Sequence, residues 1–354
     1  MNKKSNELLL LPAFQKFIYA SASGRRLMPS GKKFRAGSIR QYQCVYKLLQ
    51  QFEELQTTPL RIHILQRVSL RLLQKEKNYW NRFFRQFSLF LYKIKNCFDE
   101  YVASVFKVIK TFFHYLRREK ALPVGEFHKT FRIPSAKFSP VILSPAQLKY
   151  LITNSDFEDT LSPSLKKVKD IFVFGCTVAL RYQDLFSLQK KHIQHTADAV
   201  NIILHTQKTG TAVKIPLPQY ALQIIKRYKN KAGRHILPRL SCTNLNLGIK
   251  ALIKKAGWDY SLPKIRHRRG QAVECKNNKD ESYKFYDHVT AHTMRRTAIT
   301  TLMLLGVDEH SVRLISGHAP GSKEFYRYVV LVQEYLNAKV KAAHLLLVSD
   351  AKML

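Results

Sequence analysis

Between Ser38 and Leu116 apolar side chains recur at steps of three and four residues, a period that leaves the backbone little choice. Tyr42, Val45, Tyr46, Leu49 and Phe52 form one stripe, which ends at the Thr57-Thr58-Pro59 break. Tyr79, Trp80, Phe83, Phe84, Phe87, Phe90 and Leu91 form a second, with Arg82, Arg85 and Lys93 between them. Tyr101, Val105, Phe106, Ile109, Phe112, Phe113 and Leu116 form a third. Such a period belongs to amphipathic helices, so the stretch predicts a small all-α domain. Packing of the aromatics in a core accounts for the spacing; a row of base-stacking platforms is the alternative reading.

The pattern stops between residues 121 and 145, where Pro123, Gly125, Pro134, Pro140 and Pro145 accompany a basic stripe of Lys129, Arg132 and Lys137. Prolines at this density cannot hold a helix, so the segment reads as an inter-domain linker. Beyond it, Ser144-Pro145 ahead of Ala146 to Ile152 has the form of a capped helix start. Helices then alternate with strand-like Val200 to His205 and Val213 to Pro216, bridged by the hairpin signal Lys208-Thr209-Gly210. From Ala291 onward the chain reads as mostly helical. The fold expected is mainly α with a small β-sheet. It is divided into a basic N-terminal extension (1–35), a helical domain (36–122), a linker (123–143) and a mixed α+β domain (144–354).

A chain of 354 residues has room for two cores. Its 60 lysines and arginines outnumber 24 aspartates and glutamates, for a net charge of +36, divided evenly between the residues up to 135 and those after. Self-repulsion on that scale opposes compaction, so a long polyanion is the natural partner. Nucleic acid leads. A membrane surface is the competitor, but the apolar run Leu8 to Phe14 is too short to span and is followed at once by Gln15 and Lys16. The five cysteines, Cys44, Cys97, Cys176, Cys242 and Cys275, are scattered without a CxxC pair. That favours reduced thiols in a cytoplasm over a disulfide framework or a zinc site.

The sequence holds no GxxxxGK[ST] loop, no HExxH and no carboxylate cluster of the kind that holds Mg²⁺. A basic protein acting on phosphodiesters without those devices must meet the transition-state charge with Arg, Lys and His. Three clusters fit. Arg181 follows the apolar run Gly175-Cys176-Thr177-Val178-Ala179-Leu180, with Asp184 three residues on. His292 and Arg295 stand at i, i+3 in His292-Thr293-Met294-Arg295-Arg296-Thr297, on one helix face. Ser316-Gly317-His318-Ala319-Pro320-Gly321-Ser322 is followed by Tyr326 and Tyr328. Each alone is weak: a lone arginine after an apolar helix is commonly a surface residue, and an HxxR pair arises by chance.

Their order and separation resemble the tyrosine recombinase, or phage integrase, family over nearly the whole chain. In that resemblance Arg181 matches the first arginine box and Asp184 its usual acidic position. Lys208 in Thr206-Gln207-Lys208-Thr209-Gly210 matches the hairpin lysine, His292 and Arg295 the HxxR box, and Gly317-His318 the GH box. The amino-terminal helices resemble the family's SAM-like core-binding domain. Ser21 to Tyr42 is similar to integrases of Bacteroidetes mobile elements. One position departs: the nucleophilic tyrosine commonly lies nine residues after the box-three histidine, whereas Tyr326 and Tyr328 lie eight and ten after His318. Phe325-Tyr326-Arg327-Tyr328-Val329 resembles a Phe-x-x-Tyr-Ile pattern, which favours Tyr328 with Tyr326 second. Lys214, on the same hairpin, is the alternative to Lys208.

The resemblance implies a site-specific recombinase that cuts and rejoins double-stranded DNA through a 3′-phosphotyrosine. Tyr328 would attack, Arg181 and Arg295 would clamp the non-bridging oxygens, and Lys208 would protonate the leaving 5′-oxygen. His292 would assist proton transfer at the tyrosine, and His318 would bond the phosphate. Tyrosine ordinarily titrates near about 10, so it needs a base or a positive field to act near neutrality. No cofactor, metal or ATP is implied. The expected assembly is a homo-tetramer on two DNA sites, docked through Leu331 to Leu354. Helix packing within its own domain is the other reading of that stretch. An accessory DNA-bending or directionality protein and a bacterial cytoplasmic, nucleoid-associated location complete the expectation. A type IB-like topoisomerase and a non-catalytic DNA-binding protein are the alternatives.

Overall fold

In the computed structural model, residues 7–134, 140–230, 232–319 and 321–349 are described. Lys137, Pro320 and residues 350–354, which entered the sequence reading, lie outside them. The chain divides into two units, the first within Met1–Lys137 together with Ile265–Cys275, the second within Phe138–Lys264 and Lys276–Leu354.

The first unit begins with β1 (Glu7–Leu9), which runs directly into α1 (Leu10–Ser23), followed by α2 (Ala36–Glu53), β2 (Arg61–His63), α3 (Leu70–Leu89) and α4 (Asp99–His114). β1 pairs antiparallel with β2, Leu8 opposite Ile62. The aromatic stripes pack as their period requires: Trp80, Phe83 and Phe87 of α3 meet Phe106, Phe112 and Phe113 of α4 in a buried core. The Trp80 and Phe113 rings lie edge to face at 4.9 Å, a geometry that aromatic quadrupoles favour. The residues expected as an extension ahead of this domain depart from that reading. Leu10, Ala13, Phe14 and Phe17 form the buried face of α1 and complete the core. The physical reason is a helical stripe that Lys16 and Tyr19 interrupt only on the solvent side. Part of the expected linker is also core, since Val124, His128 and Phe131 are buried in the same cluster of elements. The unit boundary still falls within the linker.

The second unit opens at Leu143, whose amide donates to Thr297 Oγ1 at 3.1 Å. Ser144 then caps α5 (Pro145–Thr153) in a reciprocal box: its hydroxyl accepts from Gln147 N, and the Gln147 side chain accepts from Ser144 N. α6 (Ser155–Asp159), α7 (Pro163–Val178) and α8 (Tyr182–Ser187) follow. β3 (Ile193–His195), β4 (Val200–His205) and β5 (Ala212–Pro216) form an antiparallel sheet in that order, with Ile202 opposite Ile215 and Leu204 opposite Val213 on its buried face. After α9 (Gln219–Arg227) and α10 (Cys242–Lys255) come a hairpin of β6 (Lys264–Arg268) and β7 (Gln271–Cys275), then α11 (Phe285–His288), α12 (Ala291–Leu304), α13 (Glu309–Ser316) and α14 (Lys323–Ser349). α7 is buried all round from Val168 to Cys176, which makes it the central helix. α12 lies against it so closely that a Cβ on Gly175 would fall under 3.0 Å from Met294 Sδ.

The β6–β7 hairpin was not anticipated, and most of it is counted with the first unit. Its tip, Arg269-Gly270, turns through positive φ at both residues. Both tip amides donate to the buried Asp99 carboxylate at the start of α4, at 2.8 and 2.9 Å, and Tyr92 donates its hydroxyl to the same group at 2.7 Å. Among the described residues no helix is long and apolar enough to cross a membrane.

Candidate active site

The site is organised by Arg295, which is 1% exposed and lies in the first half of α12. Its Nη1 donates to Ala179 O at 2.8 Å and to Ser316 O at 2.7 Å. Those carbonyls belong to the C-terminal ends of α7 and α13, where helix carbonyls lack intrahelical partners and carry the negative end of the dipole. Both ends break in the left-handed region, at Ala179 (φ 54°) and Gly317 (φ 63°). One guanidinium therefore ties together the loops that precede Arg181 and His318. Burial and the neighbouring Arg181 lower the Arg295 pKa to about 10, which still leaves it charged near neutrality.

Arg181 opens α8, two residues after the Ala179 turn. Its Nη1 is buried and has no hydrogen-bond partner among the described residues. Asp184, one turn further on and 1% exposed, accepts from the backbone amide of Gln207 at 2.8 Å. That contact holds the β4–β5 turn which carries Lys208. The turn is closed by Gly210 N donating to Thr206 O (2.8 Å) and by the Thr206 and Thr209 hydroxyls (2.6 Å). Gly317 packs on the base of the same hairpin, where a Cβ would meet Thr206 Cγ2 at 3.1 Å and Val213 Cγ1 at 3.2 Å. Lys214 stands on β5 opposite Ile203.

His318 follows the Gly317 turn. Ser316 Oγ lies 2.7 Å from Val312 O and 2.8 Å from His318 Nδ1, and Arg295 Nη2 lies 2.9 Å from His318 Nε2. Assigned from this network, the hydroxyl donates to Val312 O, Nδ1–H donates to the hydroxyl, and neutral Nε2 accepts from Arg295. Desolvation and the surrounding cations, Arg295 first, push the His318 pKa down to about 3. His292 sits in the first turn of α12 with its side chain still open to solvent. The dense protein around it and the repulsion of Arg296, Arg295, Arg181 and Lys208 nevertheless lower it to about 4. Both imidazoles are thus neutral at pH 7.

The two tyrosines part company on α14. Tyr328 is 6% exposed, in a small cluster with Ala179, Ala298, Ile299, Val312 and Phe325, and its ring centroid is 6.0 Å from that of His318. It interacts electrostatically with Arg295 and Arg296 of α12. Tyr326 is 51% exposed, with the Arg313 guanidinium 5.4 Å from its ring centroid. The fold therefore brings together Arg181, Lys208, His292, Arg295, His318 and Tyr328 and leaves Tyr326 at the surface. Sequence reasoning missed Ser316 as the tautomer-setting partner of His318. It stood in the quoted motif, but nothing in a sequence says where a hydroxyl points. Among the described residues no three His, Cys, Asp or Glu side chains converge as a metal-binding group.

The fold is similar to solved structures of DNA-bound recombinases. The XerH site-specific recombinase bound to a palindromic difH substrate shares 12% identity over 94% of this chain and 95% of that chain, at a TM-score of 0.61. The Tn1549 transposon integrase with circular intermediate DNA shares 15% over 91% and 95%, at 0.55. A lambda integrase dimer bound to a COC′ core site shares 12% over 91% and 77%, at 0.53. Among curated proteins no significant relative is found. The model of the phage integrase family matches residues 142–333, a span that includes every side chain of the cluster just described, and the chain belongs to that family, the tyrosine-type site-specific recombinases.

Proposed function

We propose that the protein recombines double-stranded DNA at specific sites by covalent catalysis from Tyr328. The observation that carries the reading is the convergence of two arginines, a lysine, two neutral histidines and a buried tyrosine on one side of α12. Tyr328 Oη attacks the scissile phosphorus in line, the new P–O bond forms as the P–O5′ bond breaks, and a 3′-phosphotyrosine remains. The phenolic proton passes to His292, which is neutral and so able to accept it. Lys208 protonates the departing 5′-oxygen, and Asp184 supports it by holding the turn. Arg181 and Arg295 bind the non-bridging oxygens; the buried, unpartnered Nη1 of Arg181 is the kind of donor a phosphate oxygen satisfies. His318 leaves Arg295 for the phosphate and donates to it in the Nε2–H tautomer, which the Ser316 hydroxyl allows by turning its hydrogen from Val312 O to Nδ1. Bond energy is kept in the phosphotyrosine, so a 5′-hydroxyl from a second duplex can reverse the step and exchange strands.

The wider reading is a homo-tetramer on two DNA sites, acting in a bacterial cytoplasm on a mobile element, with an accessory DNA-bending or directionality protein. Its support in the chain is α14: Val332 is buried, whereas Leu336, Val340 and Leu345 further along are 40%, 54% and 71% exposed, apolar surface that a neighbouring copy would cover. The test is a nicked suicide duplex, its sequence selected from a random pool by binding to the full chain. A covalent adduct, followed by joining to a second duplex, is the expected result. An adduct that only reseals its own duplex points to topoisomerase chemistry, and no adduct on any bound duplex points to a DNA-binding protein without catalysis.

A further inference from the structure

The turn that carries Lys208 spans residues 206–211 between β4 and β5, and Gln207, Lys208, Thr209 and Gly210 are all exposed. A turn with so little apolar burial holds its shape through its own hydrogen bonds, and these converge on Thr206, which is 1% exposed. Its amide donates to Thr211 O at 2.9 Å, and its carbonyl accepts from Gly210 N at 2.8 Å. Its hydroxyl oxygen accepts from Thr211 N at 3.1 Å and lies 2.6 Å from Thr209 Oγ1 and 3.3 Å from Thr211 O. Thr211 Oγ1 donates to Thr209 Oγ1 at 2.9 Å. One placement of hydrogens satisfies every contact: Thr209 Oγ1–H donates to Thr206 Oγ1, and Thr206 Oγ1–H donates to Thr211 O. The hydroxyl then accepts two bonds and donates one, its full capacity. The methyl of the same side chain packs at Gly317, where an added Cβ would meet it at 3.1 Å, and the next residue gives its amide to Asp184. Thr206 therefore stands where the Lys208 turn, the turn into His318 and α8 meet.

We propose that Thr206 is a positioning residue for the general acid: its hydroxyl fixes the turn so that Lys208 is delivered to the departing 5′-oxygen. It acts through Lys208 and not on the substrate, and the inference rests on the reading of Lys208 as the group that protonates that oxygen. Lysine is a point charge on a flexible stem, so its ammonium returns to one place only when the backbone beneath it is held.

The experiment is single-turnover cleavage by the full chain of two suicide duplexes, one ordinary and one with sulfur in place of the 5′-oxygen at the scissile position mapped from the wild-type adduct. A thiol titrates near about 8.5, so its thiolate departs without the proton that an alkoxide needs. In Thr206→Val a methyl replaces the hydroxyl and leaves the Thr211 amide without its acceptor. That variant should lose about tenfold to 100-fold on the oxygen substrate and recover most of the loss on the sulfur substrate. Hydrogen exchange at the Thr211 amide should quicken. Thr206→Ser keeps the hydroxyl and should lose less, and Lys208→Ala should show the same recovery from a deeper deficit. Equal losses of Thr206→Val on the two substrates, with Lys208→Ala recovering, would make Thr206 structural and overturn the proposal. A loss in Thr206→Ser as deep as in Thr206→Val would assign the effect to the methyl and overturn it as well. No recovery in Lys208→Ala would remove the premise that Lys208 is the acid, and the proposal with it, so that control alone tells the two failures apart.

Discussion

Gly175→Ala tests whether the approach of α7 to α12 sets the geometry of the active site. The added methyl would lie under 3.0 Å from Met294 Sδ and 3.1 Å and 3.2 Å from Met294 Cβ and Cε, where ordinary contact begins at 3.4 Å. Because the sulfur and Cβ are close to the α12 backbone, the strain cannot be relieved at the tip of the side chain. α12 must therefore retreat from α7 by several tenths of an ångström to about 1 Å. Met294 precedes Arg295, and Arg181 lies three residues past the end of α7, so the retreat separates the two guanidiniums that are to share one phosphate. Overpacking of this kind costs about 1 to 3 kcal/mol in stability, and a misplacement of about 1 Å in a reacting constellation costs about 100-fold in rate. The assay is single-turnover cleavage alongside urea unfolding, for Gly175→Ala, Met294→Ala and the double variant. The double variant should recover most of the rate, because the space vacated at Met294 takes the new methyl. Wild-type cleavage by Gly175→Ala, or a double variant no better than the single one, would refute the argument.

Three further outcomes follow from particular contacts. His128 is 1% exposed, its ring stacks on Phe113 at 4.9 Å, and burial pushes its pKa down to about 4. An unfolded histidine takes up its proton at about 6.5, so His128 leaves stability level above about pH 7 and reduces it as the pH falls from there toward 4, by about 3 kcal/mol in all; urea melts of His128→Phe should show a correspondingly weaker pH dependence, and an unchanged slope would contradict the burial argument. Asp99→Ala leaves the Arg269 and Gly270 amides and the Tyr92 hydroxyl without their acceptor, a loss of about 2 to 4 kcal/mol. Accelerated hydrogen exchange at those two amides checks the cause. Asp184→Ala should slow cleavage at least about tenfold by freeing the Gln207 amide and the turn with Lys208, whereas Asp184→Asn, which still offers an acceptor, should lose less. Equal losses in the two variants would assign the effect to charge instead of the hydrogen bond.

The sequence was readable wherever local chemistry and long-range packing agreed. Helices α2, α3 and α4 followed from their aromatic period, the α5 cap from Ser144-Pro145, and the β4–β5 hairpin from two alternating strands around Lys208-Thr209-Gly210. The site side chains were nameable because an ordered set of short motifs accompanied them, although no single motif carried weight. Features that depend on distant partners were not readable. α1 looked like a short apolar run because its meaning lies in the core that Phe14 and Phe17 enter. The Arg269-Gly270 turn is intelligible only beside Asp99, some 170 positions away. Tyr326 and Tyr328 differ in exposure, 51% against 6%, a difference that two residues on one helix do not show until the helix is docked.

The central claim is that Tyr328 carries the covalent chemistry. Its most direct test is to trap the protein on a suicide duplex, digest both components and identify the nucleotide-bearing peptide by mass spectrometry, in wild type, Tyr328→Phe and Tyr326→Phe. The expected result is a nucleotide on Tyr328, an adduct that persists in Tyr326→Phe and none in Tyr328→Phe. A nucleotide on Tyr326, with the adduct surviving in Tyr328→Phe, would contradict it.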